Sequence, residues 1–176
     1  MTNTELFANK IITGERNYEA ALNLVIAAAQ HELLIFDQDF TKGEFASGKK
    51  FLLLQEFLNK NSNNKLTIIL QNTQFFINNC PRLLALLSTY GHRMTVYETN
   101  ETAKIAKECF VIADKTHYCK RFHINQARFK YALSKEDLSK EDLSGEALEA
   151  IANLLMRYDA LLAETTIALS NTKLGL

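Results

Sequence analysis

Hydrophobic residues in the first hundred positions follow two patterns that repeat in turn. Apolar side chains that recur every three or four residues predict amphipathic helices, and short apolar or alternating runs between them predict strands. The predicted helices cover about 13–31, 51–58 and 79–90, and the predicted strands cover 33–36, 66–70 and 93–98. Because strands joined through helices pair in parallel, we expect a sheet with helices on both of its faces.

The second half of the chain departs from this alternation. A short helical segment precedes a buried strand at 109–113, and the Asp114-Lys115 turn predicts an antiparallel return through 117–122. Further predicted elements are an edge strand at 127–133, a solvated SKEDL-SKEDL repeat at 134–143, a helix at 145–163 and a docked apolar tail at 174–176. The sequence therefore predicts an α/β fold, a mixed sheet flanked by helices on both faces, in a single domain over 1–176.

The composition is that of an ordinary globular protein, with 47% hydrophobic residues and a formal net charge of zero from 20 basic and 20 acidic residues. This balance argues against a general nucleic-acid partner and leaves room for a local basic patch. The longest apolar run, 24–29, is far too short to span a membrane, and the first ten residues lack a signal-peptide pattern. Three cysteines without a CxxC pair are typical of reduced thiols, so we expect a cytoplasmic protein.

Two aspartates follow the first predicted strand directly. Asp37 and Asp39 stand where ligands bind in parallel sheets, which is the crevice beyond the carboxyl ends of the strands. Carboxylates two residues apart hold a cation or act as acid and base, or they cap the loop and helix that follow. The sequence leaves both interpretations open and makes the two residues candidates for ligand binding.

The stretch richest in chemically active residues lies at 109–131. His117, Cys119 and His123 are zinc-ligating residue types, but no fourth ligand has a familiar spacing, and we expect neither a metal nor a cofactor. Charged and aromatic residues are interleaved through the same stretch: Tyr118, Lys120, Arg121, Phe122, Arg128, Phe129, Lys130 and Tyr131. Alternation is expected to place the aromatic side chains on one face and the charges on the other. Such a pattern is typical of either a phosphate-binding surface or a solvated sheet face.

Residues 94–123 resemble the phospholipase D superfamily. That superfamily carries a histidine, a lysine two residues later and an aspartate five residues further on, followed by a Gly-Ser-x-Asn turn. If Asp114 is the aspartate, Lys107 stands at the histidine position, Cys109 at the lysine position and Arg-Phe-His-Ile near 121–124. The resemblance implies a mixed αβ half-domain of a kind that meets a second one at a pseudo-twofold or dimer axis. The histidine that forms the phospho-enzyme is missing, so the active site is degenerate.

The whole chain also resembles an uncharacterised bacterial family of about this length. The resemblance rests on four motifs: LLIFD-x-D at 33–39, C-P-R-L at 80–83, F-V-I-A-D-x-x-x-Y-x-x-R-F-H at 110–123 and a terminal Leu-Gly-Leu. It implies a degenerate phospholipase D-like domain without a known activity. It also raises the weight of six candidate ligand-binding residues: Asp37, Asp39, Asp114, Tyr118, Arg121 and His123.

Three functions remain open at this point. The favoured one is a non-catalytic phospholipase D-like module in which Arg121 and His123 bind a phosphate-type or other anion, because arginine offers a bidentate fork and histidine a switchable donor. The alternative is a phosphodiesterase-type hydrolase that uses His123 or His117 with Asp114 or Asp37. The third is a protein-interaction scaffold that forms a homodimer.

Overall fold

Eight strands form one sheet in the computed structural model of the chain, which describes residues 6–134 and 145–169. The strands are β1 (Ile12–Thr13), β2 (Glu32–Asp37), β3 (Lys65–Leu70), β4 (Met94–Thr99), β5 (Cys109–Ala113), β6 (His117–His123), β7 (Gln126–Ala132) and β8 (Thr165–Leu169). The helices are α1 (Glu15–Ala28), α2 (Gly48–Lys60), α3 (Gln74–Asn79), α4 (Pro81–Tyr90) and α5 (Gly145–Ala163), with 3₁₀ turns at Gly91–Arg93 and Glu101–Ile105.

The sheet is mixed, as the sequence predicts. Its order is β1-β7-β6-β5-β2-β3-β4-β8, in which β2, β3 and β4 pair in parallel and all other neighbours pair antiparallel. Every residue of β2 after Glu32 is buried, which explains why this strand is a continuous apolar run. The predicted α/β fold with helices on both faces is therefore confirmed.

Side-chain alternation divides the core between the two faces of the sheet. On β5, Val111 and Ala113 pack in the cluster that α1, α2 and α4 cover, whereas Phe110 and Ile112 pack in the cluster that α5 covers. We call these sides the α1 face and the α5 face. The two candidate sites described below lie on opposite faces.

The turn between β5 and β6 gives Asp114 and Lys115 left-handed backbone angles, with φ of 54° and 56°. The Thr116 N–H donates to the Ala113 carbonyl at 3.0 Å and closes the turn. Two left-handed central residues make a type I′ turn, whose twist matches that of the paired strands. The predicted turn at Asp114-Lys115 is confirmed.

Several element boundaries differ from the prediction. The helix predicted over 79–90 is preceded by a separate helix, because Pro81 begins α4 and has no N–H with which to continue α3 across Cys80. Gly14 takes the N-cap position of α1 instead of the predicted Thr13, which belongs to β1. The strand predicted at the sheet edge, β7, is covered by β1.

The C-terminal part of the chain adds a strand that the apolar pattern does not predict, since β8 pairs with β4. The SKEDL-SKEDL repeat beyond Ser134 and the tail at 174–176 lie outside the described residues. No helix in the described ranges is long and apolar enough to cross a membrane.

Candidate functional site

Arg121 lies on the α1 face and is fully buried. Its Nη1 and Nη2 donate to the two carboxylate oxygens of Glu15 at 2.7 and 2.8 Å, which is a bidentate ion pair. The remaining donors reach the backbone carbonyls of His123 at 3.2 Å and Ile124 at 2.7 Å. The guanidinium carbon also lies 4.9 Å from the centre of the Tyr18 ring. Four hydrogen bonds and one aromatic ring therefore engage this buried guanidinium.

The Arg121–Glu15 pair joins the start of α1 to β6. The guanidinium holds the pKa of the Glu15 carboxyl below its usual range, mainly through the hydrogen bonds between them. Side-chain exposure is 1% for Arg121 and 49% for Glu15, so the carboxylate meets solvent and the guanidinium does not. Sequence reasoning missed Glu15, which is 106 residues from its partner and carries no motif.

Asp37 and Asp39 cap the loop that follows β2. The Oδ1 of Asp37 accepts hydrogen bonds from the backbone N–H groups of Asp39 at 3.1 Å and Phe40 at 2.9 Å. Burial raises the pKa of Asp37 to about 6. The Oδ1 of Asp39 accepts from the N–H and the hydroxyl of Thr41 at 3.0 and 2.6 Å. These contacts follow the capping interpretation of the two aspartates.

The loop over residues 38–47 fills the space beyond the end of β2 with aromatic rings. Phe40 and Phe45 are buried and stacked, with ring centres 4.0 Å apart. Phe40, Gly43 and Glu44 all have left-handed backbone angles. A Cβ at Gly43 would lie 2.5 Å from the Leu22 side chain, so the loop approaches α1 as closely as only glycine allows. The crevice in which parallel sheets bind ligands is therefore packed with apolar side chains on the α1 face.

Asp114, the aspartate that matches the phospholipase D pattern, accepts three backbone hydrogen bonds. Its carboxylate takes the N–H groups of Gln30 and His31 at 2.7 Å and of Glu32 at 2.9 Å. The hairpin turn is thereby tied to the connection between α1 and β2. This turn is at the opposite end of β5 from Cys109, about 13 Å away along the strand.

The two histidines of β6 also meet backbone donors. The Nδ1 of His117 accepts the Ser134 N–H at 2.8 Å, and the Nδ1 of His123 accepts the Asn125 N–H at 3.1 Å. None of the ion pairs between described residues involves the His123 ring. No three His, Cys, Asp or Glu side chains in the described ranges cluster closely enough to hold a metal ion.

The predicted site residues are divided between the two ends of the β5–β6 hairpin. Asp37 and Arg121 both neighbour the buried thiol of Cys109 on the α1 face, since Asp37 lies beside it and Arg121 pairs with Cys109 across the strands, and burial raises the pKa of that thiol. Asp114 and His117 belong to the turn end of the β5–β6 hairpin, whereas Arg121 pairs across from Cys109 at the other end.

A second candidate site, here called the α5 groove, lies between the α5 face of the hairpin and α5. It is a cavity of about 380 Å³. Its sheet side consists of Tyr118, Lys120, Phe122 and Lys130, and its helix side of Glu146, Ala150, Asn153, Leu154 and Arg157. Glu108, the residue before β5, also lines it. On β7 the predicted alternation of charged and aromatic faces is right. On β6 it is wrong, because Lys120 shares a face with Tyr118 and Phe122 while Arg121 points the other way.

Three cations and two carboxylates line the α5 groove. Lys130 Nζ pairs with Glu146 at 3.0 Å, and Arg157 Nε pairs with Glu108 at 2.7 Å. Burial is the largest single influence on the pKa of Glu108 and raises it, but the hydrogen bond from Arg157, a backbone hydrogen bond and the charges of Arg157 and Lys120 together leave that pKa below its usual value. Lys120 lies directly opposite Lys130 across the strands, and its Nζ is 5.6 Å from the centre of the Phe122 ring.

Lys120 is the cation of this groove that is not in a described ion pair. Among the described residues it forms no ion pair, whereas the other two cations do. Like charges directly opposite on neighbouring strands repel each other. The described lining therefore has three cations and two carboxylates next to an aromatic ring. Arg157 was missed from the sequence, because α5 reads there only as an amphipathic helix.

The chain matches one known family model over most of its length. A family model described as a domain of unknown function, DUF7931, matches residues 14–141. The chain belongs to the DUF7931 family. The part that matches this DUF7931 model includes Glu15, Arg121 and the sheet side of the α5 groove, and it ends before α5. A search of curated proteins finds no match to the chain.

Solved structures resemble this DUF7931 chain in fold. TrmBL2, an archaeal chromatin protein whose structure shows a novel mode of DNA binding, aligns with a TM-score of 0.63 and 10% identity over 95% of this chain. The chain spans 57% of that TrmBL2 chain. NucT from Helicobacter pylori aligns with a TM-score of 0.58 and 15% identity over 90% of this chain and 97% of its own. Identities this low show the fold alone, and the architecture is consistent with a phospholipase D-like α/β fold.

Proposed function

We propose that this DUF7931 chain is a non-catalytic, phospholipase D-like module that binds a phosphate-type anion in the α5 groove. The observation that carries the proposal is the direct cross-strand pairing of Lys120 with Lys130 in a cavity that Arg157 lines from the helix side. An anion held between them replaces a repulsion by charge-assisted hydrogen bonds, which are about twice as strong as neutral ones.

The positions that match the phospholipase D pattern lack the residues that catalysis in that superfamily requires. Lys107 stands where the superfamily has its nucleophilic histidine, and the thiol at Cys109 is kept protonated by burial. Arg121 replaces the first residue of the Gly-Ser-x-Asn turn and is engaged by Glu15. Without the histidine, no covalent phospho-enzyme forms at this place. The hydrolase alternative is less favoured because the Nδ1 atoms of His117 and His123, where an orienting carboxylate would bind, accept backbone N–H groups.

The candidate residues named from the sequence take different roles in this proposal. Tyr118 remains a ligand-site residue, because it lines the α5 groove. We propose a structural role for the other five, since each is engaged by backbone groups or by a buried ion pair: Asp37, Asp39, Asp114, Arg121 and His123.

The proposed anion is a phosphate group, either free or part of a larger molecule. TrmBL2 is described as binding DNA, and its likeness to this chain is one of fold only. A chain with a formal net charge of zero lacks the general basic excess of a nucleic-acid coat, so the proposal requires only a local site. A phosphate ion has five heavy atoms, which at the ceiling of about 1.5 kcal/mol per atom limits its Kd to about the micromolar range. The homodimer stays a prediction.

The test is calorimetric titration of inorganic phosphate and pyrophosphate into the full chain in a phosphate-free buffer. We expect Lys120→Ala to weaken binding at least tenfold. The matched control is Lys49→Ala, an exposed lysine on α2, which packs on the α1 face. Equal binding by Lys120→Ala and wild type would refute the site, and turnover of a phosphodiester substrate by the wild type would refute the non-catalytic assignment.

A further inference from the structure

The α5 groove contains more than its cations, and the remaining groups describe the rest of a ligand. Phe122 is 37% exposed although it is a large aromatic residue on a sheet covered by a helix. Its ring lines the same cavity as Lys120, whose ammonium is 5.6 Å from the ring centre. A flat hydrophobic surface and a cation outside the described ion pairs are therefore neighbours in one groove.

The opposite side of the groove has small and hydrogen-bonding side chains. Ala150 leaves space next to the helix, and Asn153 offers an amide with both donor and acceptor groups. The volume of about 380 Å³ lies in the range of sites that hold small molecules, which begins at about 300 Å³, and a phosphate ion alone leaves most of it empty. The site is therefore built for a ligand that extends beyond the anion.

We infer that the ligand of the α5 groove is a nucleotide unit, with its phosphate on Lys120 and Lys130 and its base on the ring of Phe122. This inference rests on the proposed anion site and adds the class of ligand. Aromatic side chains give stacking surfaces for any base, and adjacent basic residues follow the phosphates, which is how single-stranded nucleic acid is bound without sequence readout. A free nucleotide and one unit of a single strand share this chemistry.

The experiment compares four small ligands by calorimetry on the full chain: inorganic phosphate, ribose 5-phosphate, adenosine and adenosine 5′-monophosphate. A five-nucleotide adenosine strand provides a fifth arm. We expect adenosine 5′-monophosphate to bind about tenfold more tightly than ribose 5-phosphate, which corresponds to about 1.4 kcal/mol. A further gain for the strand would identify single-stranded nucleic acid as the source, and equal affinity per site would identify the free nucleotide.

The variant Phe122→Leu keeps the apolar volume and removes the aromatic face. It is expected to bring the affinity for adenosine 5′-monophosphate down to that for ribose 5-phosphate while leaving ribose 5-phosphate binding unchanged. The control is Phe7→Leu, since Phe7 is 53% exposed and has Lys10 Nζ 5.5 Å from its ring centre, yet does not line the groove. An equal effect of Phe7→Leu would overturn the inference.

The outcomes distinguish a failure of the nucleotide inference from a failure of the anion site. If ribose 5-phosphate and adenosine 5′-monophosphate bind equally, the nucleotide inference is wrong and the anion site stands. If adenosine binds as well as its monophosphate, or if none of the phosphates binds, the proposed anion site is itself wrong and the inference falls with it.

Discussion

The role of Arg121 gives the most quantitative prediction. Arg121→Ala removes the bidentate pair with Glu15, two hydrogen bonds to backbone carbonyls and the contact with the Tyr18 ring, and it leaves a cavity in a fully buried place. Breaking a buried pair by removing one partner costs about 3–5 kcal/mol. Because Glu15 is 49% exposed and can be rehydrated, we expect a loss near the lower end, about 3 kcal/mol. For a chain of this length that loss lowers the Tm by about 6–12 °C.

Urea unfolding and calorimetry of Arg121→Ala, Glu15→Ala and the double variant measure this directly. The double variant is expected to lose less stability than the sum of the single variants, with a coupling of about 1–2 kcal/mol. Arg128→Ala is the matched control, because Arg128 is an exposed arginine on the neighbouring strand, and it should change the free energy of unfolding by less than about 0.5 kcal/mol. The structural role of Arg121 would be refuted by an unchanged Tm together with a loss of phosphate binding.

Three further predictions concern the aspartates and their turn. Burial raises the pKa of Asp37 to about 6, so the folded state binds the proton more tightly than the unfolded chain. The stability that Asp37 contributes is therefore present below about pH 4 and falls by about 3 kcal/mol as the pH rises through 6. Urea unfolding between pH 4 and 7 should show a smaller fall for Asp37→Asn than for wild type, and equal falls would contradict this. Asp114→Ala removes the acceptor of three backbone N–H groups at a left-handed residue, and it should lower the free energy of unfolding in urea by about 3 kcal/mol. Asparagine tolerates that backbone angle, so Asp114→Asn should lower it by about half as much. Equal losses would contradict the capping role. Lys115→Gly relieves a left-handed lysine with φ of 56° and should raise the free energy of unfolding by about 0.5–1 kcal/mol, and a lower Tm would contradict the strain argument.

Much of the fold follows from local patterns. The apolar run of β2, the spacing in α1 and α2 and the left-handed turn after Ala113 are each set by residues next to one another in the chain, and their positions were predictable. Pairing between distant segments is not encoded locally. The two-residue strand β1 pairs with β7, and the C-terminal strand β8 pairs with β4, so each depends on hydrogen bonds to a strand that is distant in sequence.

The candidate site was harder to predict, because alternation along β6 predicts two faces but does not determine which helix packs on each face. The sequence predicts that Arg121 binds a ligand together with His123. Its side chain instead lies on the face covered by α1, where it forms an ion pair with Glu15. Lys120 stood in the same stretch as an ordinary basic residue. Its importance arises from Lys130 across the strand and from Arg157 on a helix that is distant in sequence.

The central claim is that an anion binds on the α5 face while Arg121 serves the fold on the α1 face. A titration of inorganic phosphate into the isotopically labelled full chain, followed by amide and side-chain NMR shifts, tests it most directly. The account predicts saturable shifts at Lys120, Lys130 and Asn153, with Arg121 and Glu15 unchanged. Shifts centred on Arg121 and Glu15, or no saturable shift anywhere, would contradict it.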